Sequence, residues 1–232
     1  MSYMLIDLNQ VLISNLMQHL KQITKSHEMN QDLIRHMAIN TIRSNVKQFK
    51  SKYPNVILCC DNKKYWRREV FPFYKSQRKH DREASGYDWG MIFDTLNKIR
   101  DDLKEYFPYK VLDVDGAEAD DVIGTLVPHV INKEDIVIVS SDGDFLQLQK
   151  FNGTPGCHKV KQYNPAQKKY IVSENPLADL KEKIISGDKG DGIPNILSSS
   201  DCFVTETRQT SITKPKLQKF MSESVGEWED EK

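Results

Sequence analysis

The sequence carries no net charge: 33 Lys and Arg balance 33 Asp and Glu over 232 residues. That excludes a uniformly basic, histone-like protein. It does not exclude nucleic-acid binding, because a zero sum is silent about where the charges lie. The sequence also lacks any apolar run near the roughly 20 residues that cross a bilayer. Its first residues lack the basic-then-apolar pattern of a secretory signal, so no membrane association is expected. Cysteine is sparse: Cys59, Cys60, Cys157 and Cys202 form no CxxC pair, which argues against zinc. Cys59 and Cys60 fall in an apolar run and read as packed free thiols, in keeping with a reducing cytosol. Hydrophobic residues make up 38% and charged residues 28%, a lean composition but not that of a disordered chain. No internal repeat is visible, and the length suits one domain or one domain with a small appendage.

What is present alternates strand and helix patterns. Tyr3 to Leu8 reads as a buried strand, and Leu33, Ile34, Met37, Ala38, Ile42, Val46 and Phe49 form one apolar helical stripe ended by Pro54. Val56 to Cys60 is a second strand. Ile92, Leu96, Ile99, Leu103 and Phe107 make another amphipathic helix, and Tyr109 to Val114 a third strand. Glu118 to about Val130 reads as helix, and Asp135 to Ser140 as the most apolar strand. Residues 158–172 suggest a hairpin turned by Asn164-Pro165, Pro176 to Ile185 a helix, and Lys216 to Met221 a short helix. Such alternation implies an α/β fold, a mostly parallel central sheet flanked by helices. Expected divisions are 1–175 for the core with a basic segment at 62–86, 176–222 for a helical region, and a frayed acidic tail at 223–232.

In open parallel sheets, ligands bind beyond the carboxyl ends of the strands. Asp7, Asp61 and Asp142 follow strands one, two and four, and strand three leads through Asp113 and Asp115 to Glu118, Asp120 and Asp121. Ser140-Ser141-Asp142-Gly143-Asp144 spaces two carboxylates across a turn expected to be tightened by Gly143. Gly187-Asp188-Lys189-Gly190-Asp191-Gly192 adds two more on a Gly-rich turn. Each cluster also has a bland reading as a turn or a helix cap. Together, many acids at one sheet edge repel each other unless cations intervene. With no His or Cys among them, Mg²⁺ or Mn²⁺ fits best. Two such ions about 4 Å apart activate water and stabilise the leaving oxygen in phosphodiester hydrolysis.

The segment from Lys63 to Glu83 holds eight bases (Lys63, Lys64, Arg67, Arg68, Lys75, Arg78, Lys79 and Arg82) against Glu69, Asp81 and Glu83. Tyr65, Trp66, Phe71, Phe73 and Tyr74 are interleaved. Bases neutralise phosphates and rings stack on unpaired bases, so the segment suits single-stranded nucleic acid. The alternative is a solvated charged helix with its aromatics packed inward.

Leu5-Ile6-Asp7, Leu58 to Asn62, Trp66-Arg67-Arg68, Tyr74 to Arg78, Glu118 to Asp121, Ser140 to Asp144 and Gly187 to Pro194 occur in the order found in the flap endonuclease family of 5′-nucleases. The spacing, with Asp88-Trp89 after the basic segment, is most similar to the ribonuclease H branch of T-even-type bacteriophages, over roughly residues 3–220. The resemblance implies a PIN-like 5′-nuclease core, a basic arch over 62–86 and a helix–three-turn–helix region. It implies a 5′→3′ exonuclease and flap endonuclease that acts on RNA–DNA hybrids, flap and forked DNA and removes RNA primers during lagging-strand replication. By position Asp7, Asp61, Asp120 and Asp142 match a first Mg²⁺ cluster. Glu118, Asp144, Asp188 and Asp191 match a second, with Asp121 part of the motif and Mn²⁺ a substitute. Arg67 and Lys75 match residues at the scissile phosphate. Trp66, Arg68, Tyr74, Arg78 and Lys79, with Gly187, Gly190 and Gly192 of the helix–three-turn–helix, are the remaining expected nucleic-acid contacts.

Further expectations follow from that likeness. The enzyme would act as a monomer in the cytoplasm, the host's if phage-encoded, in company with replisome proteins such as a single-stranded DNA-binding protein. Asp7 lies too near the first residue for an N-terminal clamp-binding extension, so clamp binding by that route is not expected. The loop from Leu197 to Thr213 is long, Gly192 and Asn195 depart from the wider pattern, and the sequence stops soon after the helical region. The rival readings are a PIN-type endoribonuclease and a catalytically impaired module that binds DNA structures.

Overall fold

Short continuous apolar runs with nothing polar between them cannot form a half-solvated sheet, and here they form a sheet covered on both faces. The computed structural model describes residues 2–22 and 30–223. In chain order the elements are β1 (Tyr3–Asp7), α1 (Leu8–Gln22), α2 (Gln31–Phe49), β2 (Asn55–Cys60), α3 (Arg67–Val70), α4 (Gln77–Ala84), α5 (Trp89–Tyr106), β3 (Lys110–Asp113), α6 (Ala119–Val130), β4 (Ile136–Val139), β5 (Val160–Asn164), β6 (Lys169–Ile171), α7 (Pro176–Ser186) and α8 (Lys214–Ser222). A 3₁₀ helix covers Gly143–Phe151 and another Lys189–Asp191. The chain divides into two compact units, one of Met1–Tyr65 with Asp88–Glu174, the other of Trp66–Tyr87 with Asn175–Lys232.

The first unit is built on a six-stranded sheet in the order β3-β2-β1-β4-β5-β6. All pairs are parallel except β5–β6. All four β4 residues, Ile136–Val139, are buried. Leu5, Ile138 and Val160 share one core cluster with Ile123 and Val127 of α6 and with Phe145 and Leu148 of the 3₁₀ helix. Burying each such aliphatic side chain contributes about 1.5–3 kcal/mol. In α2 the expected stripe faces inward at Ile34, Ala38, Ile42, Val46 and Phe49, and Asn30 caps the helix by accepting the Leu33 N–H at 2.9 Å. Asp88 does the same for α5, accepting from Met91 N–H at 2.9 Å.

Three local features differ from the sequence expectation. Leu8–Gln22, which the periodicity left unassigned, is the helix α1, and its Leu8, Val11, Leu12 and Leu16 are buried. The hairpin at 158–172 extends the main sheet, because β5 pairs in parallel with β4 before turning back into β6. Its turn is held by Asn164 Oδ1, which accepts the N–H groups of Ala166 and Gln167. Gly143 does not tighten its turn: its φ is not positive, and a Cβ there would meet nothing within 4 Å.

In the second unit the basic segment folds into the short helices α3 and α4, joined through Phe71–Ser76. The helices α7 and α8 flank residues 187–213 and pack around Ile185 and Phe220, with Ile196, Leu197, Ile212, Leu217 and Met221 against them. The long loop is pinned by Asn195. Its N–H donates to Gln209 Oε1 and its Nδ2 to the Thr210 carbonyl, both at 2.9 Å, while its Oδ1 accepts from Leu197 N–H and the Ser198 hydroxyl. Of the acidic tail expected at 223–232, residues 224–232 lie outside the described residues. Among the described residues no helix is long and apolar enough to cross a membrane.

Candidate functional site

In the first unit, strand order places the acids. Strands β2 and β3 lie on one side of β1 and β4 to β6 on the other, so the chain reverses its direction of sheet growth at β1 and β4. A parallel sheet opens a crevice at such a point. Asp7 is the last residue of β1, Asp61 follows β2, and Asp142 lies three residues beyond β4. Asp120 and Asp121 open α6, which follows β3.

Asp7 is 3% exposed. Its Oδ2 accepts from the Ser140 hydroxyl at 3.0 Å and its Oδ1 from the Gln10 N–H at 3.3 Å. Burial, reinforced by the charges of Asp120 and Asp61, holds its carboxyl well above the usual carboxylate range. Asp61 Oδ1 accepts the Ala119 N–H at 2.9 Å, which seats it at the positive end of α6. Asp142 caps the 3₁₀ helix by accepting from the Asp144 N–H. Carboxylate oxygens of Asp120, Asp142 and Asp144 all lie within 4.8 Å of one another. All-oxygen donors at that spacing, beside a buried carboxyl pushed above its usual range by burial and by neighbouring acids, fit a hard divalent cation.

Glu118 and Asp121 close a capping box: Glu118 accepts the N–H of Asp121, and Asp121 Oδ2 accepts the Glu118 N–H at 2.9 Å. These two side chains thus also brace the start of α6, whereas Asp120 faces Asp142 and Asp144. Asp113 is engaged elsewhere, accepting from Asn62 Nδ2 and pairing with Arg100 at 3.3 Å. Ser140 and Gln10 carry roles that acid counting missed. The Ser140 hydroxyl joins Asp7 to the Asp142 N–H, and Gln10 Oε1 accepts the Ser141 N–H. Their only sequence signal is position, one turn after Asp7 and two residues before Asp142. Cys59 and Cys60 are buried free thiols, as expected, with burial pushing the Cys60 thiol up to about 12.

In the second unit Gly187 has φ 72, and a Cβ on it would lie 2.4 Å from the Pro194 backbone, so only glycine fits. The following turn closes through Asp188 and Ile193, which exchange backbone hydrogen bonds at 2.7 and 2.8 Å. Burial works to raise the Asp188 carboxyl. The Lys183 ammonium at 2.8 Å, with the N–H groups of Asp191 and Gly190, outweighs it and holds the group below its usual range. Asp191 ties this turn to the basic segment. Its Oδ1 accepts from Arg78 Nη2 at 2.7 Å with Lys75 Nζ at 3.8 Å, its Oδ2 accepts from the Tyr74 hydroxyl, and its carbonyl accepts the Lys75 N–H. Arg78 Nε donates to the Gly190 carbonyl, and Gly192, with φ 71, leaves room for the Phe73 carbonyl.

Tyr74, expected among the nucleic-acid contacts, is 3% exposed, with Lys75 Nζ 4.8 Å and Arg67 6.0 Å from its ring. It is an internal strut beneath those bases, because a ring so enclosed offers no face to a base. Trp66 is 48% exposed and carries the Arg67 guanidinium 5.0 Å from its ring. Arg68, Arg78 and Lys79 are exposed, Lys79 pairing only loosely with Glu83 at 4.0 Å.

A parallel sheet that gathers carboxylates at its carboxyl edge, where strand order reverses, defines the class: an α/β protein with the PIN-like 5′-nuclease fold. The same fold occurs in a T5 protein co-crystallised with metal ions, at TM-score 0.64 and 17% identity over 96% of this chain and 84% of that one. It occurs also in T5 5′-exonuclease bound to divalent zinc ions, at TM-score 0.62 and 18% identity. The profile of the family described as 5′-3′ exonuclease, N-terminal resolvase-like domain, matches residues 2–189, and the chain belongs to that family. This bears out the resemblance carried by the motifs. Ribonuclease H of Enterobacteria phage T4 is 38% identical over 207 residues, covering 87% of this chain and 65% of the phage protein. Flap endonuclease Xni of Shewanella pealeana is 33% identical over 135 residues, covering 56% of this chain and 48% of the relative. The chain thus spans 65% and 48% of the length of these two relatives.

Proposed function

We propose that the chain is a divalent-metal-dependent 5′→3′ nuclease that hydrolyses phosphodiesters in RNA–DNA hybrids and in flap or forked DNA. The observation that carries the reading is the convergence of Asp120, Asp142 and Asp144 to within 4.8 Å in the unit that also buries Asp7 and holds Asp61. Asp7, Asp61, Asp120 and Asp142 would hold one Mg²⁺. Asp144, with Glu118 in an outer position, would serve a second, and Mn²⁺ would replace either. Bound cations would lower the pKa of a water and offset charge on the departing oxygen. Ser140 and Gln10 hold the Asp7 carboxylate in one orientation. Arg67, Arg68, Lys75 and Lys79 neutralise phosphates, and the exposed Trp66 ring supplies a stacking face. The names of the relatives agree with this activity, and primer removal on the lagging strand is its proposed use, by a monomer in the cytoplasm where a phage replisome and its single-stranded DNA-binding protein work.

The test is cleavage of a 5′-labelled RNA–DNA hybrid. The purified chain with Mg²⁺ is expected to release short 5′ products, and Asp120→Asn to lose at least about 100-fold in rate. Equal rates in the two proteins would overturn the assignment. So would tight binding of flap DNA without turnover in either Mg²⁺ or Mn²⁺.

A further inference from the structure

The turn that carries Asp142 and Asp144 is held from behind by a residue that no acidic motif contains. Gln162 lies in the middle of β5, paired in register with Ile138 of β4, and is 0% exposed. Its Nε2 donates to two carbonyls of the turn, that of Ser140 at 3.1 Å and that of Asp142 at 2.5 Å. Its Oε1 is buried with no hydrogen-bond partner among the described residues. A fully buried amide with one end unsatisfied is costly, and an aliphatic residue would pack there without that cost. The side chain is therefore explained by the two carbonyls it holds, not by the core around it.

Fixing those carbonyls fixes the peptide planes on either side of Ser141-Asp142. Little rotation then remains for the Asp142 side chain, whose Oδ1 already accepts from the Asp144 N–H. Ser140, at the start of the same turn, hands its hydroxyl to Asp7. The amide does this without charge. A lysine could donate to both carbonyls, but it would bring a cation into competition with the metal, and a glutamate would set oxygen against oxygen. We propose that Gln162 is a positioning residue for the metal centre, which orients the Asp142–Asp144 turn so that both carboxylates meet Asp120. This rests on the metal-dependent reading above.

The test is calorimetric titration of the full chain with Mn²⁺ alone, beside its thermal unfolding without metal. Gln162→Met is expected to weaken Mn²⁺ binding roughly 10–100-fold and to raise the Mn²⁺ concentration that half-saturates cleavage by a similar factor. Gln149→Met is the control for general loosening. Gln149 is also buried and ties the same 3₁₀ helix to Ile171 and Ser173, away from the carboxylates. It is expected to unfold earlier with Mn²⁺ affinity unchanged. Gln162→Asn, a donor on a shorter stem, serves if the methionine variant does not fold, and is expected to weaken Mn²⁺ binding in the same direction. Wild-type affinity in the Gln162 variants, or an equal loss in Gln149→Met, overturns the inference alone. A wild-type chain that takes up no Mn²⁺ overturns the metal-dependent reading and this inference with it.

Discussion

At the scale of single residues, the most consequential side chain is Asp7. Its burial, and after it the charges of Asp120 and Asp61, favour the proton it would have to lose to bind a cation. Its folded-state pKa is raised above the ordinary 3.8, so the native chain holds this proton more tightly than the unfolded chain does. The stability that this contributes is complete below the ordinary value and is lost as pH rises through the raised one. Asp7→Asn removes the penalty. Without metal, the variant is expected to melt above the wild type, with the gap widening as pH rises from the ordinary carboxylate range toward neutrality. Its cleavage should be lost. Melting curves in EDTA across that range check the claim, and a gap independent of pH would count against it. Ser140, Gln10 and Asp113 show what a residue count misses. Which acid faces a hydroxyl, and which an arginine, depends on partners far away in sequence.

At the scale of elements, the strands and the helices α2, α5 and α6 follow directly from local pattern. The strands are short continuous apolar runs, and the helices repeat apolar residues near period 3.6, whatever lies beyond them. The turn after α7 is different. Gly187 stands at φ 72 and ψ −178, a conformation essentially reserved for glycine, with the Pro194 backbone where a Cβ would go. Gly187→Ala is expected to cost about 3 kcal/mol or more, and to free the basic segment as well, because Asp191 in the same turn accepts from Tyr74 and Arg78. Faster trypsin cleavage after Arg78 and Lys79 would report it. Cleavage at the wild-type rate would show that the segment does not depend on the turn. The motif pointed to this glycine, but the anchoring of the basic segment by Asp191 could not be read from it, since the two lie more than 110 residues apart.

At the scale of the whole molecule, the two units differ in how much apolar surface they bury. The first has a six-stranded sheet with a large cluster around Ile138 and Ile123, the second a core centred on Ile185 and Phe220. Local stability tracks buried contact, so amides of β1, β2 and β4 are expected to exchange at least about tenfold more slowly than those of α7 and α8. Hydrogen exchange read by mass spectrometry tests this, and equal protection in both units would refute it. The zero net charge also takes on meaning at this scale. The zero sum conceals local imbalance: acids gather at a sheet edge, while α3, α4 and the turn between them hold six bases against three acids.

The sequence by itself determined the buried strands, the carboxylates at their ends, the basic segment and the family. Each of these is written in contiguous residues or in the order of short motifs. Only the tertiary structure decided that β1 lies between β2 and β4, which sets Asp7 among Asp61 and Asp120. It also decided that Tyr74 faces inward, that Arg100 takes Asp113, and that a glutamine on β5 holds the Asp142 turn. The physical reason is the same in each case. Periodicity reports which face of an element is buried, but strand order and side-chain partners come from packing between segments distant along the chain, where burial and hydrogen-bond satisfaction choose among arrangements that local pattern leaves equal.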